Sequence, residues 1–265
     1  MNLIKTYIIP RLFTDIVFFY LLLILLGLVA AGLPFDLNFL LGAVANYLML
    51  IFAFIINDIE DREDDAGAVF IPQTWQDNIR MMLGMHVNGS GVPGAKRFLN
   101  PFSHGDLSVT VGYLWCGILA LIGFIFSFLA GGYWPLVIAT LNIVVGVLYS
   151  WQKVRLKSIP ILDLLSHAFL LAGAQVVYFL AYPRANHAWL GWALAALVFL
   201  NSVSGDLRNE YRDFDEDRQA GIRNTASVIG KRNAYIFGQL LNVISIVMIM
   251  ILLVGRGFNL VGNNS

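Results

Sequence analysis

Seven apolar stretches, each close to the length a bilayer demands, limit what this chain can fold into. A helix that crosses the hydrocarbon core needs about 20 predominantly apolar residues. The stretches cover roughly residues 12–33, 37–56, 109–130, 134–150, 161–181, 189–203 and 234–254. In lipid, every backbone N–H and C=O must find its partner within the protein, so segments of this length are read as helices packed side by side. The expected fold is all-α, a polytopic membrane helical bundle of about seven spans. Composition agrees: 58% of residues are hydrophobic and 13% charged, whereas a soluble domain carries about 25% charged residues. The net charge of zero provides no global field for a nucleic-acid partner, and none is expected. Cys116 is the single cysteine, so no internal disulfide is available. The first stretch is long and lacks a small-residue cleavage site behind it, so it reads as a true span.

The connections fall into two sets. Those near 32–36, 131–134 and 182–188 are short and apolar, while 57–107, 151–160 and 204–233 are polar. The sets alternate along the chain and therefore lie on opposite sides of the membrane. Of the 17 Lys and Arg residues, all but Arg184 and Arg256 fall on the polar-loop side. The positive-inside rule places that side in the cytoplasm, with the amino terminus inside and the carboxyl terminus outside. The glycines between Gly84 and Gly94 mark a flexible loop within the first polar connection.

The acids share this geography. One block runs from Asn57 to Asp65 and another from Asp206 to Asp217. On a helix Asn57, Asp61 and Asp65 recur every four residues and share a face, which Asp58 joins by three- and four-residue steps. Like charges at that spacing repel. A magnesium ion offsets this repulsion, because it takes a few carboxylates and completes its shell with water and phosphate oxygens. In the second block Asp213 and Asp217 are again four apart, with Arg208, Arg212 and Arg218 interleaved. Arginine binds phosphate bidentately, so acids with arginines between them suit a metal-bridged diphosphate. The third polar loop adds Tyr149, Lys153, Arg155 and Lys157 with no acid before Asp163. A single acid run at the end of a span is ordinarily a solvated flank. Two runs on one membrane face, beside a basic loop, favour a site. His167 lies in an apolar stretch and is expected to be a hydrogen-bonded structural residue. His86, His104 and His187 lack ligand spacing, so zinc is not expected. Trp134 and Trp189 read as interface anchors.

These residues resemble a known family. Asn57-Asp58-Ile59-Glu60-Asp61-Arg62-Glu63-Asp64-Asp65 looks like the NDxxDxxxD signature of the UbiA superfamily of membrane prenyltransferases. Asp213-Phe214-Asp215-Glu216-Asp217 looks like its DxxxD signature, and the run from Asn209 through Thr225 is similar to the sequence around it. Tyr149 to Lys153 fits its YxxxK element, and Asn100-Pro101 with Gly105 to Ser108 resembles the stretch leading into the third span. The three elements stand in family order, after spans two, four and six. The resemblance covers about residues 11–230.

It implies a helical bundle with a central cavity under a cytoplasmic cap, where two magnesium-binding motifs face each other across a diphosphate. By carry-over, Asn57, Asp61 and Asp65 serve one metal site, and Asp213 and Asp217 the other. Tyr149, Lys153, Asp61 and Asp213 are the expected catalytic residues. Asn57, Asp58, Arg11, Asn209, Arg212 and Lys157 are expected at the substrate. The family usually has nine spans against seven here, so residues 1–265 are expected to form one transmembrane prenyltransferase domain that lacks the last two family helices. The loop at 66–95 is longer than is usual in the family.

The function these readings imply is magnesium-dependent transfer of a prenyl group from a polyprenyl diphosphate to a lipophilic acceptor, with release of diphosphate. The acceptor classes are an aromatic or quinone precursor, a chlorophyll-type alcohol, a carotenoid end group or a glycerol phosphate ether. The run from Arg155 to His167 resembles members acting on carotenoids or chlorophyllide. The expected setting is the cell membrane, with the site loops on the cytoplasmic side. Two other readings remain. A non-catalytic isoprenoid-binding scaffold would share the fold, and a transporter would more often carry its acids near the bilayer midplane. A CDP-alcohol phosphotransferase would need a DGxxAR run, which the chain lacks.

Overall fold

A computed structural model of the chain describes residues 4–8, 17–67, 69–70, 95–96, 99–186, 189–219 and 221–262, with 253–262 as backbone alone. Eight helices carry the architecture. They are α1 (Val17–Ala31), α2 (Leu37–Glu60), α3 (Val109–Gly131), α4 (Tyr133–Ser150), α5 (Leu162–Leu180), α6 (Trp189–Gln219), the short α7 (Thr225–Ile229) and α8 (Lys231–Gly262). Six of them are long and apolar enough to cross a membrane, and α1 is a shorter apolar helix. The described residues thus hold the seven apolar helices expected from sequence. Two-residue strands, Val69–Phe70 and Ala95–Lys96, pair in parallel at the base of the long loop.

Neighbours in sequence are neighbours in space: α2 packs along α3 and α4, and α8 along α6. The chain also crosses over, because α1 packs on the second half of α5 and on α6. Between apolar helices in lipid there is little hydrophobic driving force, so close packing through small residues holds the bundle. A Cβ on Gly191 of α6 would collide with the backbone carbonyl of Ala30 in α1, and one on Gly123 of α3 with the Met49 side chain of α2. The main apolar core gathers Ile24, Phe39, Met49, Tyr178, Phe179 and Tyr182. A second core, with Ile55, Ile59, Phe102 and Leu119, lies toward the polar end and takes in Tyr7 from the amino-terminal turn.

Helix α5 is interrupted by one π-helical turn, Phe169–Gly173. Such a turn leaves backbone groups off the regular ladder, and in lipid they need partners. The Gln175 side-chain amide donates to the Leu170 carbonyl at 2.7 Å, and Asn46 of α2 donates to the Gln175 carbonyl at 3.0 Å. Both side chains are buried.

The sixth span differs from expectation. Residues 204–219, expected as connection, continue α6 as helix. Nothing in that stretch stops a helix: Gly205 is its one glycine, it has no proline, and its acids and arginines recur at helical spacing. The contacts sort the connections into two ends as the sequence did. At one end Arg184 reaches Asp36 with both guanidinium nitrogens at 2.9 Å, and Asn186 donates its N–H to the Ala31 carbonyl at 2.7 Å. All the acid-block contacts lie at the other.

Candidate active site

The first acid block begins inside α2 and continues past its end. The helix stops at Glu60, with Asp61 as C-cap, and Asp64–Gly67 form a 3-10 turn. The four-residue step survives the change of helix. Asp61 donates its N–H to the Asn57 carbonyl at 2.9 Å and Asp65 to that of Asp61 at 2.8 Å. Asn57 and Asp61 therefore open on one side, where both meet the Lys157 ammonium; its distance to Asn57 Oδ1 is 3.2 Å. Asp65 accepts from Asn100 Nδ2 at 3.0 Å, and the same amide donates to the Asp58 carbonyl at 2.7 Å. Asp58 departs from the expected face. Its side chain is buried and accepts the Tyr7 hydroxyl at 2.6 Å, because position 58 lies a quarter-turn or so round the helix, toward the second core.

The loop after α4 docks onto this block. Gln152 donates its backbone N–H to Glu60 Oε2 at 3.1 Å and its side-chain amide to the Glu60 carbonyl at 2.9 Å. Arg155 pairs with Asp64 at 2.5 Å and stands 3.7 Å from Asp61, and Lys157 completes the clasp on Asp61. Lys153 stays exposed, its ammonium 5.6 Å from the centre of the Trp151 ring. Tyr149, the last residue but one of α4, has its ring 6.5 Å from that of His167.

The second block follows α6. Asp206 and Glu210 face inward, while Asp213 is exposed. Asp206 stands 3.7 Å from His167 Nε2, and Glu210 accepts the Ala226 N–H at 2.8 Å. Asp217 accepts from Asn224 at 2.7 Å, and the exposed Asp215 pairs with Lys231 at 2.5 Å. Asn209 and Arg212 are exposed and bond to one another. Between the blocks sits Asp163, 3% exposed. It accepts the Thr225 N–H and hydroxyl, each at 2.5 Å, and the Leu164 N–H at 2.7 Å. Asp163 thus fastens α7 to the start of α5.

Of the residues singled out in the sequence, the structure brings Asn57, Asp61 and Lys157 into contact, with Asp65 one turn further on. It does not bring Lys153, Asn209 or Arg212 to the first block. Arg11 lies outside the described residues. Sequence reasoning passed over Asn100, Arg155 and Asp163 as site residues. The first two stood in stretches already marked out, the family-like run before α3 and the basic loop. For Asp163 the only signal was an acid at the mouth of an apolar span.

Whether this set suits a divalent cation is a question of donor chemistry. Asn57, Asp61 and Asp65 offer only oxygen atoms, the donors magnesium takes. Burial is the largest influence on Asp61 and pushes its carboxyl up, against Lys157 and Arg155, which pull it down. A carboxylate still under-compensated beside two cations is one that further positive charge stabilises. Among the described residues no three His, Cys, Asp or Glu side chains are gathered closely enough to hold a metal as they stand. The set fits magnesium in kind, with Lys157 standing at its centre.

Six membrane-length helices, with acids and a basic loop collected at one end, define a multi-pass membrane protein with a polar cluster at one face. More particularly, the chain belongs to the UbiA prenyltransferase family, whose profile matches residues 96–262. It is similar to a digeranylgeranylglyceryl phosphate synthase of Methanoculleus marisnigri, with 28% identity over 137 residues, 52% of this chain and 47% of that protein. The chain thus spans about half the length of this curated relative. Its fold is similar to that of a UbiA homolog from Archaeoglobus fulgidus bound to DMAPP and Mg2+, with TM-score 0.64 and 20% identity, over 86% of this chain and 72% of that one. The same homolog bound to GPP and Mg2+ gives TM-score 0.61 and 19% identity, over 88% and 74% of the two chains. At these identities the likeness is one of fold.

Proposed function

We propose that this protein transfers a prenyl group from a polyprenyl diphosphate to a lipophilic acceptor and releases diphosphate, with magnesium as cofactor. The observation that carries this reading is the gathering of Asn57, Asp61, Arg155 and Lys157 at the polar end of an apolar helical bundle. A diphosphate head seated there has its prenyl chain among apolar helices and its charge among polar groups. Family membership and the named ligands of the A. fulgidus homolog support the same reading. Residues 1–265 are read as one transmembrane domain whose polar loops face the cytoplasm.

Breaking the allylic carbon–oxygen bond leaves negative charge on diphosphate and positive charge on the prenyl carbon. Asn57, Asp61 and Asp65 would hold one magnesium ion, and Asp213 and Asp217 the other. Bound magnesium supplies Lewis-acid stabilisation of the leaving diphosphate. Arg155 and Lys157 place fixed positive charge where the leaving group develops its own, and such preorganised charge needs no rearrangement during reaction. Lys153, exposed on the same loop, is close enough in sequence to add to it. The Tyr149 ring offers its face to the carbocation. The apolar helices behind it exclude the water that would quench that cation. The acceptor's nucleophilic carbon or oxygen then attacks the prenyl carbon and loses its proton.

The test supplies purified protein with labelled allylic diphosphates of several lengths, magnesium and a panel of lipophilic acceptors. Prenylated product and free pyrophosphate in equal amounts are expected. Tight isoprenoid binding without turnover for every pairing would favour the scaffold instead.

A further inference from the structure

Lys157 is the side chain most deeply committed to the first acid block, and no signature motif requires it. Its ammonium meets Asn57 Oδ1 and both carboxylate oxygens of Asp61, all part of the oxygen set that suits a divalent cation. The segment that carries it is held at both ends. Arg155 is fixed to Asp64 at 2.5 Å and to Gln152 at 2.9 Å. Ile161 donates its N–H to Thr225 Oγ1 at 2.6 Å, and Thr225 is tied in turn to Asp163. These same two residues, with φ of 47° and 74°, are the non-glycine residues in the left-handed region among the described residues. A β-branched residue is rarely found there and stays only where its surroundings hold it. The segment is therefore a strap, drawn over the first block and pinned to the turn that begins α7.

Resting on the divalent-cation and diphosphate reading of this site, we propose that Lys157 is a built-in counter-cation of the first acid block, which a divalent ion displaces and an incoming diphosphate then takes up. One ammonium carries a single charge and three donors, and it cannot match a doubly charged ion on the same oxygens. Once displaced, it remains on a strap pinned at both ends, within side-chain reach of the same place. Arg155 has a buried Nε–H with no partner among the described residues, a second donor left unsatisfied beside the first block. Metal binding and anion binding are then one exchange: Asp61 trades an ammonium for the metal, and the ammonium trades a carboxylate for a phosphate.

Two measurements on the full chain in detergent test this. The first titrates Mn2+ alone, read by loss of the free-ion electron paramagnetic signal, into wild type, Lys157→Gln, Lys157→Arg and Asp61→Asn. Removing the competing charge should tighten Mn2+ binding roughly ten-fold in Lys157→Gln, the size expected for one charged hydrogen bond. Lys157→Arg should stay near wild type, and Asp61→Asn should lose the site. Equal or weaker Mn2+ binding by folded Lys157→Gln overturns the proposal. The second uses wild type alone: acylation of Lys157, followed by mass spectrometry, should rise on adding Mg2+ and fall again when inorganic pyrophosphate follows. Unchanged reactivity on adding Mg2+ also overturns it. If wild type binds no Mn2+ that depends on Asp61, the site reading itself falls and takes this proposal with it; a Lys157 failure with Asp61-dependent binding intact leaves that reading standing.

Discussion

Asp163 shows what one buried carboxylate does in this bundle. It is 3% exposed and satisfied by three donors, two of them from Thr225. In Asp163→Ala the Thr225 N–H stays buried without its acceptor, at a cost of about 1–3 kcal/mol. A lowered thermal midpoint in detergent is expected, with α7 the first segment to exchange its amide hydrogens. Asp36 makes the opposite kind of test, at the other end of the bundle. The hydrogen bond from Arg184 is the largest influence holding its carboxyl below its ordinary value. A carboxyl so depressed adds stability above its ordinary titration range, and that stability is lost as pH falls through the depressed folded value. Asp36→Asn, which keeps an N-cap acceptor, should therefore melt slightly below wild type at neutral pH, and the gap should close on acidification. A gap that persists in acid would assign the effect to packing. Residues were the least legible scale in the sequence. Spacing placed Asn57 and Asp61 on one face, and the structure keeps them there. Spacing did not show that Asp58 would turn toward Tyr7, because that depends on where a segment 51 residues away comes to rest.

At the scale of the element, apolar length predicted well and polar composition did not. Helices α2, α3 and α4 match their stretches closely because a hydrophobic run of that length has few alternatives in lipid. The apolar run of α6 ends near Val203, yet the helix continues to Gln219. A hydropathy signal stops at the membrane surface, whereas a helix stops at a breaker or a cap. The π-turn in α5 was likewise hidden, since its partners, Asn46 and Gln175, are 129 residues apart. The contact of α1 with α6 supplies this scale's prediction. Gly191 allows the Ala30 carbonyl to approach, and backbone cannot swing aside as a side chain can. Gly191→Leu should push the two helices apart and lower the thermal midpoint by several degrees, roughly what 2–3 kcal/mol of overpacking produces. Gly117→Leu, where a Cβ meets open space, should leave it unchanged.

Across the whole molecule, the alternation of short apolar and long polar connections foretold the two-ended arrangement that the contacts display. The sidedness proposed from basic residues has its own test. In a Cys116→Ala background, a cysteine at Pro183 should react with an impermeant maleimide added outside intact cells, and one at Gln152 only after lysis. Reversed labelling would invert the orientation and put the acid blocks outside. The acids gathered at this end are proposed to handle the diphosphate of a prenyl donor. That role is tested most directly by pyrophosphate release from an allylic prenyl diphosphate in wild type, Asp61→Ala and Asp213→Ala, each checked for an intact helical fold. Release should need magnesium, stop with a chelator, and fall at least about 100-fold in each variant, as when a group aimed at developing charge is removed. Near-normal release in either folded variant, or release indifferent to the chelator, would contradict that role.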